Sequence, residues 1–168
     1  FPISSPGDFE AVNTLARELR GVQICGLTRA READIDAAGD ALKPAENPRI
    51  HTGLGVSENH LVHKLKMSRE KALEVGVAAV KHARKYTDNI EYFMEDSGRA
   101  DRDYVYKVVE SVIAAGANTI NVPDTTGYTY PDEYRSLIQG IIENVPNSDK
   151  AVFSCHCHND LGMATANT

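Results

Sequence analysis

Long apolar runs, clusters of basic residues and abundant cysteines are all missing from this sequence. No apolar stretch approaches the roughly 18–20 residues that a membrane-spanning helix needs, which argues against a transmembrane protein. The net charge is −6 and lysine and arginine form no block, which argues against nucleic acid or an anionic membrane as the main partner. The three cysteines, without a secretory context, indicate a reducing compartment.

A glycine-rich phosphate-binding turn is missing as well. Gly53 and Gly55 are followed neither by a third glycine nor by a helix start, so nothing favours a dinucleotide-binding fold. What the sequence does have is an ordinary globular composition: 168 residues, of which 42% are hydrophobic and 25% charged. This length is sufficient for one sizeable hydrophobic core.

Strand-like and helix-like patterns alternate along the chain. Predicted strands open near residues 23, 49, 90, 119 and 151, and the strand at 49–52 is expected to run into a loop over 53–57. Amphipathic spacing predicts helices over about residues 5–19, 31–42, 68–86, 103–115 and 131–144. Strict alternation is typical of a parallel sheet with helices outside it. An open doubly wound sheet and a (β/α)8 barrel both satisfy this pattern.

The polar residues of three predicted strands favour the barrel. Because side chains alternate faces along a strand, the polar groups share one face in each strand, and they gather near the C-terminal ends. These groups are Glu91 and Glu95, Asn121 and Thr125, and Ser154, His156 and His158. Barrel enzymes build their active sites at that end of the strands.

The length allows only part of a barrel. A complete barrel of about 250 residues uses roughly 31 residues per βα unit, so 168 residues hold five or six units. Five strands cannot close into a barrel and would leave strand edges exposed. We therefore expect residues 1–168 to be an internal piece of a longer barrel.

His156 and His158 stand at the end of the last predicted strand. Two neutral imidazoles on the same face of a strand can share a metal ion. Cys155 and Cys157 point to the other face and cannot join that site. Ordinary strand histidines are one alternative, and a zinc knuckle is another. The zinc knuckle is disfavoured because the only remaining cysteine is Cys25.

Several runs of residues carry a resemblance to a known family. Residues 156–162 resemble the metal-binding strand of the acyl-CoA-condensing, metal-dependent barrel enzymes, and essentially the whole chain resembles the 2-isopropylmalate synthase family. The closer likeness is carried by residues 24–29, 49–52, 57 with 60, 63–70, 95–96, 119–125 and 144–150. The resemblance implies a partial (β/α)8 TIM barrel of about five to six βα units. It also implies an incomplete catalytic domain over residues 1–168, without the family's first strand and its C-terminal units.

The resemblance implies an acyltransferase that condenses acetyl-CoA with 2-oxoisovalerate to give 2-isopropylmalate and coenzyme A, a step of leucine biosynthesis. It implies a divalent metal cofactor (Mn²⁺, Mg²⁺ or Zn²⁺) that polarises the keto carbonyl of the 2-oxo acid as a Lewis acid. It further implies a homodimer in the cytoplasm, or in a plastid or mitochondrion of a eukaryote, with no nucleic-acid or membrane partner. Because further family ligands lie outside residues 1–168, we expect this chain alone to be inactive.

The resemblance also assigns roles to individual residues. The expected metal ligands are His156 and His158. The expected catalytic residues are Glu95 and Thr125. The expected substrate-binding residues are Thr125, Glu91, His51, Ser57 and His60. Residues 53–56 depart from the bulkier pattern of the family, and this departure bears on the size of the oxo acid.

Other functions stay open at this point. Homocitrate and citramalate synthases share the histidine strand and the strand around Thr125. A carbon–carbon lyase of the same barrel group would use the same metal strand in the cleavage direction. A non-catalytic metal-binding or subunit-interaction module could keep the fold without turnover.

Overall fold

The computed structural model describes residues 1–168, and its centre is a five-stranded parallel sheet with the strands in sequence order. The strands are β1 (Gln23–Leu27), β2 (Asn47–Gly55), β3 (Ile90–Glu95), β4 (Thr119–Asp124) and β5 (Val152–Cys157). The helices are α1 (Pro6–Glu18), α2 (Glu32–Leu42), α3 (Arg69–Ala83), α4 (Arg102–Ala115), α5 (Pro131–Asn144) and α6 (Ala164–Asn167). One π-helix (His60–Leu65) and two 3-10 helices (Ser97–Arg99 and Ser148–Lys150) lie in the connections. The predicted alternation of parallel strands and helices is confirmed.

The helix boundaries follow local capping chemistry. At the start of α1, the Ser5 side chain accepts a hydrogen bond from the backbone N–H of Asp8, and proline occupies the first turn. At the start of α4, Asp101 accepts from the N–H of Tyr104 at 2.9 Å. That helix ends at Gly116, whose φ of 118° is a left-handed conformation that glycine adopts readily. None of the helices is both long and apolar enough to cross a membrane.

The two faces of the sheet differ in chemistry. The outer face packs against the helices and forms the hydrophobic core, in which Ile50, Ile90, Tyr92 and Ile120 are almost completely buried. The alternating residues of the same strands form the other face, which we call the inner face, and there the side chains are mainly polar. An apolar outer face covered by helices and a polar inner face are the arrangement expected of a section of a barrel.

The connection after β2 differs from the prediction. Residues 53–57 were expected to be a loop, but β2 continues to Gly55, with Gly53 paired to Phe93 and Gly55 to Glu95. The prediction was wrong because glycine has low strand propensity, whereas the backbone bonds to β3 hold this segment extended. The π-helix that follows was not predicted either. Such helices are rare and are frequent at functional sites.

Candidate active site

The rings of His156 and His158 lie side by side at the C-terminal end of β5. Their centroids are 5.2 Å apart and their planes differ by 18°. Both residues are exposed, so their nitrogens are open to an incoming ligand. Cys155 and Cys157 lie on the outer side of the strand, where their thiols contact Tyr134. The structure thus brings the two histidines together and keeps the two cysteines apart from them.

This histidine pair fits a divalent ion as two of its ligands. Imidazole nitrogen is a common ligand for Zn²⁺ and related metals, and a stable site needs further donors. The one group of three potential ligands in the chain lies elsewhere on the inner face: ligand atoms of Cys25, His51 and Glu91 are within 4.8 Å of one another.

A second cluster forms where β2, β3 and β4 end. The hydroxyl of Ser57 donates a hydrogen bond to a carboxylate oxygen of Asp96, and the backbone N–H of Asp96 donates to Thr125 Oγ1 at 2.8 Å. The Nδ1 atom of His60 lies 3.5 Å from Glu95 Oε2. Four residues predicted from the sequence, Ser57, His60, Glu95 and Thr125, are therefore brought together around Asp96. Asp96 itself was not assigned a role, because alternation along the strand places Glu95 on the polar face and its neighbour on the other, and the left-handed backbone of Asp96 was not predicted.

Lys64 fixes the carboxylate of Glu95. Its Nζ atom lies 2.8 Å and 2.6 Å from the two carboxylate oxygens of Glu95, whose side chain is 30% exposed. Lys64 comes from the π-helix, which also carries His60. The sequence analysis missed Lys64 because its meeting with Glu95 depends on the unpredicted π-helix.

Asp96 is an ionised carboxylate in a buried position, with only 1% of its surface exposed. Burial acts to raise its pKa, but the Arg99 guanidinium at 2.7 Å and 2.9 Å, together with the Ser57 hydroxyl, outweighs burial and lowers the pKa below its ordinary value. Its backbone φ of 68° is left-handed, which is uncommon for a residue other than glycine. Such strain is typical of functional sites.

Asp96→Asn is expected to make the fold less sensitive to acid. A carboxyl group whose pKa is lower in the folded protein than in the unfolded chain stabilises the fold at pH values above about 3.9, its pKa in the unfolded chain. This contribution is lost as the pH falls through the pKa of the folded protein. We expect the melting temperature of the wild type to fall more steeply than that of the variant between about pH 4.5 and pH 2.5. Circular-dichroism melts across this range test it. Asp132→Asn, at a side chain that is 93% exposed, serves as the control and should keep the wild-type slope. Equal slopes for Asp96→Asn and the wild type would contradict the prediction.

A third group of polar residues lies deeper on the inner face and joins four strands. Arg49 contacts Glu91 at 3.2 Å, Asn89 at 2.9 Å and Thr119 at 3.2 Å. Ser154 donates to the second carboxylate oxygen of Glu91 at 3.0 Å and accepts from Asn121 Nδ2 at 2.8 Å. Both carboxylate oxygens of Glu91 are therefore engaged by the sheet itself. The role of Glu91 as a substrate ligand stays a prediction. The sequence analysis placed Asn121 on this face without giving it a role, and it missed Arg49.

His51 lies beside this network. Burial lowers the pKa of its imidazole, and the nearby Arg49 and His156 lower it further, against the opposing effect of Glu91. Burial and the Glu91 carboxylate raise the pKa of the Cys25 thiol to about 11. Near neutral pH the pair is thus a neutral imidazole and a protonated thiol. The Nε2 atom of His51 and the Oδ1 atom of Asn121 are buried without a hydrogen-bond partner. Buried polar atoms usually have partners, so these two atoms are exceptions on the inner face.

The fold and these groups together define a section of a (β/α) barrel whose polar site lies on the inner face and at the C-terminal ends of the strands. The chain belongs to the HMGL-like family, whose model matches residues 1–168.

Relatives with known names match the whole chain. It is 57% identical over 168 residues to a 2-isopropylmalate synthase of Nitratidesulfovibrio vulgaris and 53% identical to one of Methylococcus capsulatus. The matched region is 100% of this chain and 33% of each of those proteins, so the chain spans about a third of their length. The resemblance to the 2-isopropylmalate synthase family is confirmed.

The solved structures with the same fold include HMG-CoA lyases. The crystal structure of hydroxymethylglutaryl-CoA lyase from Pseudomonas aeruginosa superposes with a TM-score of 0.78 at 22% identity, over 99% of this chain and 55% of that one. The HMG-CoA lyase structure from Brucella melitensis gives 0.75 at 18% identity, over 99% of this chain and 59% of that one. At this level of identity the likeness shows the fold alone. It confirms the prediction of a partial TIM barrel.

Proposed function

We propose that residues 1–168 form part of the catalytic barrel of a 2-isopropylmalate synthase, an incomplete domain that further βα units complete. The observation that carries this proposal is the pairing of His156 and His158 at the end of β5, in a chain more than 50% identical to such synthases over its whole length. The lyase structures support the fold but do not favour the cleavage reaction, since their sequence identity is low.

The proposed reaction joins two substrates and consumes one water. The acetyl methyl group of acetyl-CoA loses a proton and forms a carbon–carbon bond to the keto carbon of 2-oxoisovalerate, whose keto oxygen takes up a proton. Water then hydrolyses the thioester. Coenzyme A leaves as its thiol, and the former thioester carbonyl becomes the second carboxylate of 2-isopropylmalate. When bound, a divalent ion (Mn²⁺, Mg²⁺ or Zn²⁺) supplies Lewis-acid polarisation of the keto group, and His156 and His158 are the residues of this chain that would hold it.

The remaining residues bind and orient the reactants in this proposal. Thr125 Oγ1 already accepts the N–H of Asp96, so its own hydroxyl hydrogen is free to donate to a carboxylate of the oxo acid. Glu95, held by Lys64, is the proposed proton-accepting carboxylate. Ser57 holds the carboxylate of Asp96 by a hydrogen bond, and it is therefore a positioning residue that acts through Asp96. On the inner face, the imidazole of His51 lines the substrate cavity, and Glu91 positions Ser154 and Arg49.

The full-length gene product is expected to release coenzyme A from acetyl-CoA when 2-oxoisovalerate is added. A thiol reagent measures the release, and mass spectrometry identifies 2-isopropylmalate. Treatment with a chelator should abolish the activity, and separate additions of Mn²⁺, Mg²⁺ and Zn²⁺ identify the metal that restores it. Coenzyme A release that does not depend on the oxo acid would contradict the synthase and support a thioesterase. Cleavage of a 3-hydroxyacyl-CoA, without condensation, would contradict it and support a lyase. Light scattering on the same sample tests the proposed homodimer.

A further inference from the structure

The turn that follows β4 is fixed to the connection that follows β3. We call residues 124–129 the β4 turn; it begins at the last residue of β4 and contains Thr125. Just before the turn, the hydroxyl of Ser97 donates a hydrogen bond to the carbonyl oxygen of Pro123 at 2.8 Å. Within the turn, Thr125 accepts the N–H of Asp96. One side of the β4 turn is therefore held in place by the β3 connection.

The same turn is also fixed to the end of β5, which carries the histidine pair. The carbonyl oxygen of Asp124 accepts two backbone hydrogen bonds, from the N–H of His158 at 3.1 Å and from the N–H of Gly127 at 3.3 Å. The N–H of Thr129 donates to a carboxylate oxygen of Asp124 at 3.2 Å, and Asp124 is almost completely buried. The turn is thus closed on itself by Asp124 and joined through the same residue to His158.

Asp160 packs onto the bend of the β4 turn. The bend is at Gly127, whose φ of 64° is left-handed. A Cβ atom on Gly127 would lie 2.5 Å from Oδ2, 2.8 Å from the backbone nitrogen and 3.0 Å from Cβ of Asp160. Asp160 therefore occupies the space that a side chain at position 127 would need. Its neighbour Asn159 has a different contact, since Asn159 Oδ1 accepts the N–H of Ala164, the first residue of α6, at 3.2 Å.

We propose that Asp160, through its contact with Gly127, is a positioning residue that fixes Thr125 relative to His158. This inference rests on the proposed function, in which Thr125 and the metal-binding histidines hold the same 2-oxo acid. Gly127 lies two residues after Thr125, and Asp160 lies two residues after His158, so a shift at their contact moves both groups. A misplacement of about 1 Å can cost about 100-fold in rate. The contact is one of shape, because Gly127 has no side chain that could pair with the carboxylate.

Asp160→Ala is expected to weaken the binding of the metal and of the oxo acid together. Without the carboxylate, the bend at Gly127 can move into the space that is left. In the full-length gene product we expect the Kd for Mn²⁺ and the KM for 2-oxoisovalerate to rise, and kcat to fall, each about 10-fold. Asp160→Asn keeps the size of the side chain and should stay close to the wild type. Asp149→Ala, at an exposed aspartate in the connection before β5, is the matched control and should change none of these values.

Gly127→Ala tests the same contact from the other side. It places a methyl group against Asp160 and forces alanine into a left-handed backbone, so it should raise the Kd for Mn²⁺ at least as much as Asp160→Ala does. Because both substitutions act on one contact, the double variant should be less impaired than the product of the two single effects. Two effects that simply multiply would overturn the coupling of the two residues.

Calorimetric titrations with Mn²⁺ and Zn²⁺, coenzyme A release and circular-dichroism melts on the same samples decide the inference. A lower melting temperature of Asp160→Ala with unchanged Kd and KM would show a purely structural contact and overturn it. Equal losses in Asp160→Asn and Asp160→Ala would assign a direct role to the charge and overturn it as well.

Failure of the proposed function gives a different result. In that case the wild type binds metal but releases no coenzyme A with the oxo acid, and the Kd values of the variants decide the inference alone. A wild type that releases coenzyme A, with equal Kd and KM in all variants, overturns the inference and leaves the proposed function intact. A wild type that binds neither ion and releases no coenzyme A overturns both.

Discussion

Full-length protein carrying His156→Ala or His158→Ala is expected to lose about three orders of magnitude in coenzyme A release. Lewis-acid polarisation of a carbonyl is worth several kcal/mol, and each 1.4 kcal/mol or so changes the rate about tenfold. The two imidazoles lie side by side at one strand end. Alanine removes one of these two nitrogen donors and puts no other donor in its place. Metal content by mass spectrometry and coenzyme A release, measured on the same samples, test the prediction.

Cys155→Ala is the matched control for this experiment. Cys155 lies on β5 next to His156, but its thiol is on the outer side of the strand, near Tyr134. It should keep wild-type metal content and activity, because nothing of it reaches the inner face. A histidine variant that keeps both metal and activity would remove the central support of the proposed function. A variant that keeps metal but loses activity would assign the histidine to substrate binding in place of metal binding.

The elements that the sequence predicts well are those whose signals are local. Helix α4 repeats apolar residues at helical spacing, has an aspartate at its N-terminus and a glycine at its C-terminus, and begins and ends within one residue of the predicted bounds. The histidine pair belongs to the same class, since the alternation of side chains along a strand is enough to place both rings on one face. For the same reason the opposite orientation of Cys155 and Cys157 could be predicted.

The elements that the sequence could not predict depend on partners far along the chain. The end of β2 is a strand only because Gly53 and Gly55 pair with β3, about 40 residues later in the sequence. The π-helix brings Lys64 into contact with Glu95, 31 residues away, and no periodic pattern in the sequence predicts this helix. Functional contacts of this kind arise from strand register, which alternation along single strands does not determine.

The ion pair on the inner face is the strongest case of such a contact. Arg49 and Glu91 are 42 residues apart, and the sequence analysis singled out only Glu91, as a substrate-lining residue. Their side chains are 23% and 11% exposed, so two charges have been removed from most of their water. A pair of this kind is costly to form, and it is far more costly to break by removing one partner.

Arg49→Met is expected to destabilise the fold by about 3–4 kcal/mol, because it leaves the Glu91 carboxylate largely buried without a counter-charge. The substitution also removes the guanidinium bonds to Asn89 and Thr119, which join β2 to the next two strands. Methionine keeps most of the length and apolar volume of the arginine side chain, so the expected loss reflects charge and hydrogen bonds more than packing. Urea unfolding of the full-length protein, followed by circular dichroism, measures the change.

Two further variants separate the buried pair from ordinary surface electrostatics. Arg17→Met breaks the ion pair with Glu10, whose N···O distance is 2.6 Å but whose side chains are 53% and 61% exposed, so a much smaller loss than that of Arg49→Met is expected. Arg49→Met combined with Glu91→Met should recover much of the stability lost by Arg49→Met alone, since neither charge is then left unpaired. Equal losses for Arg17→Met and Arg49→Met would show that the inner face is already open to water at Glu91. In that case the Glu91 carboxylate is accessible to substrate, and its predicted role in substrate binding gains support over a purely positioning role.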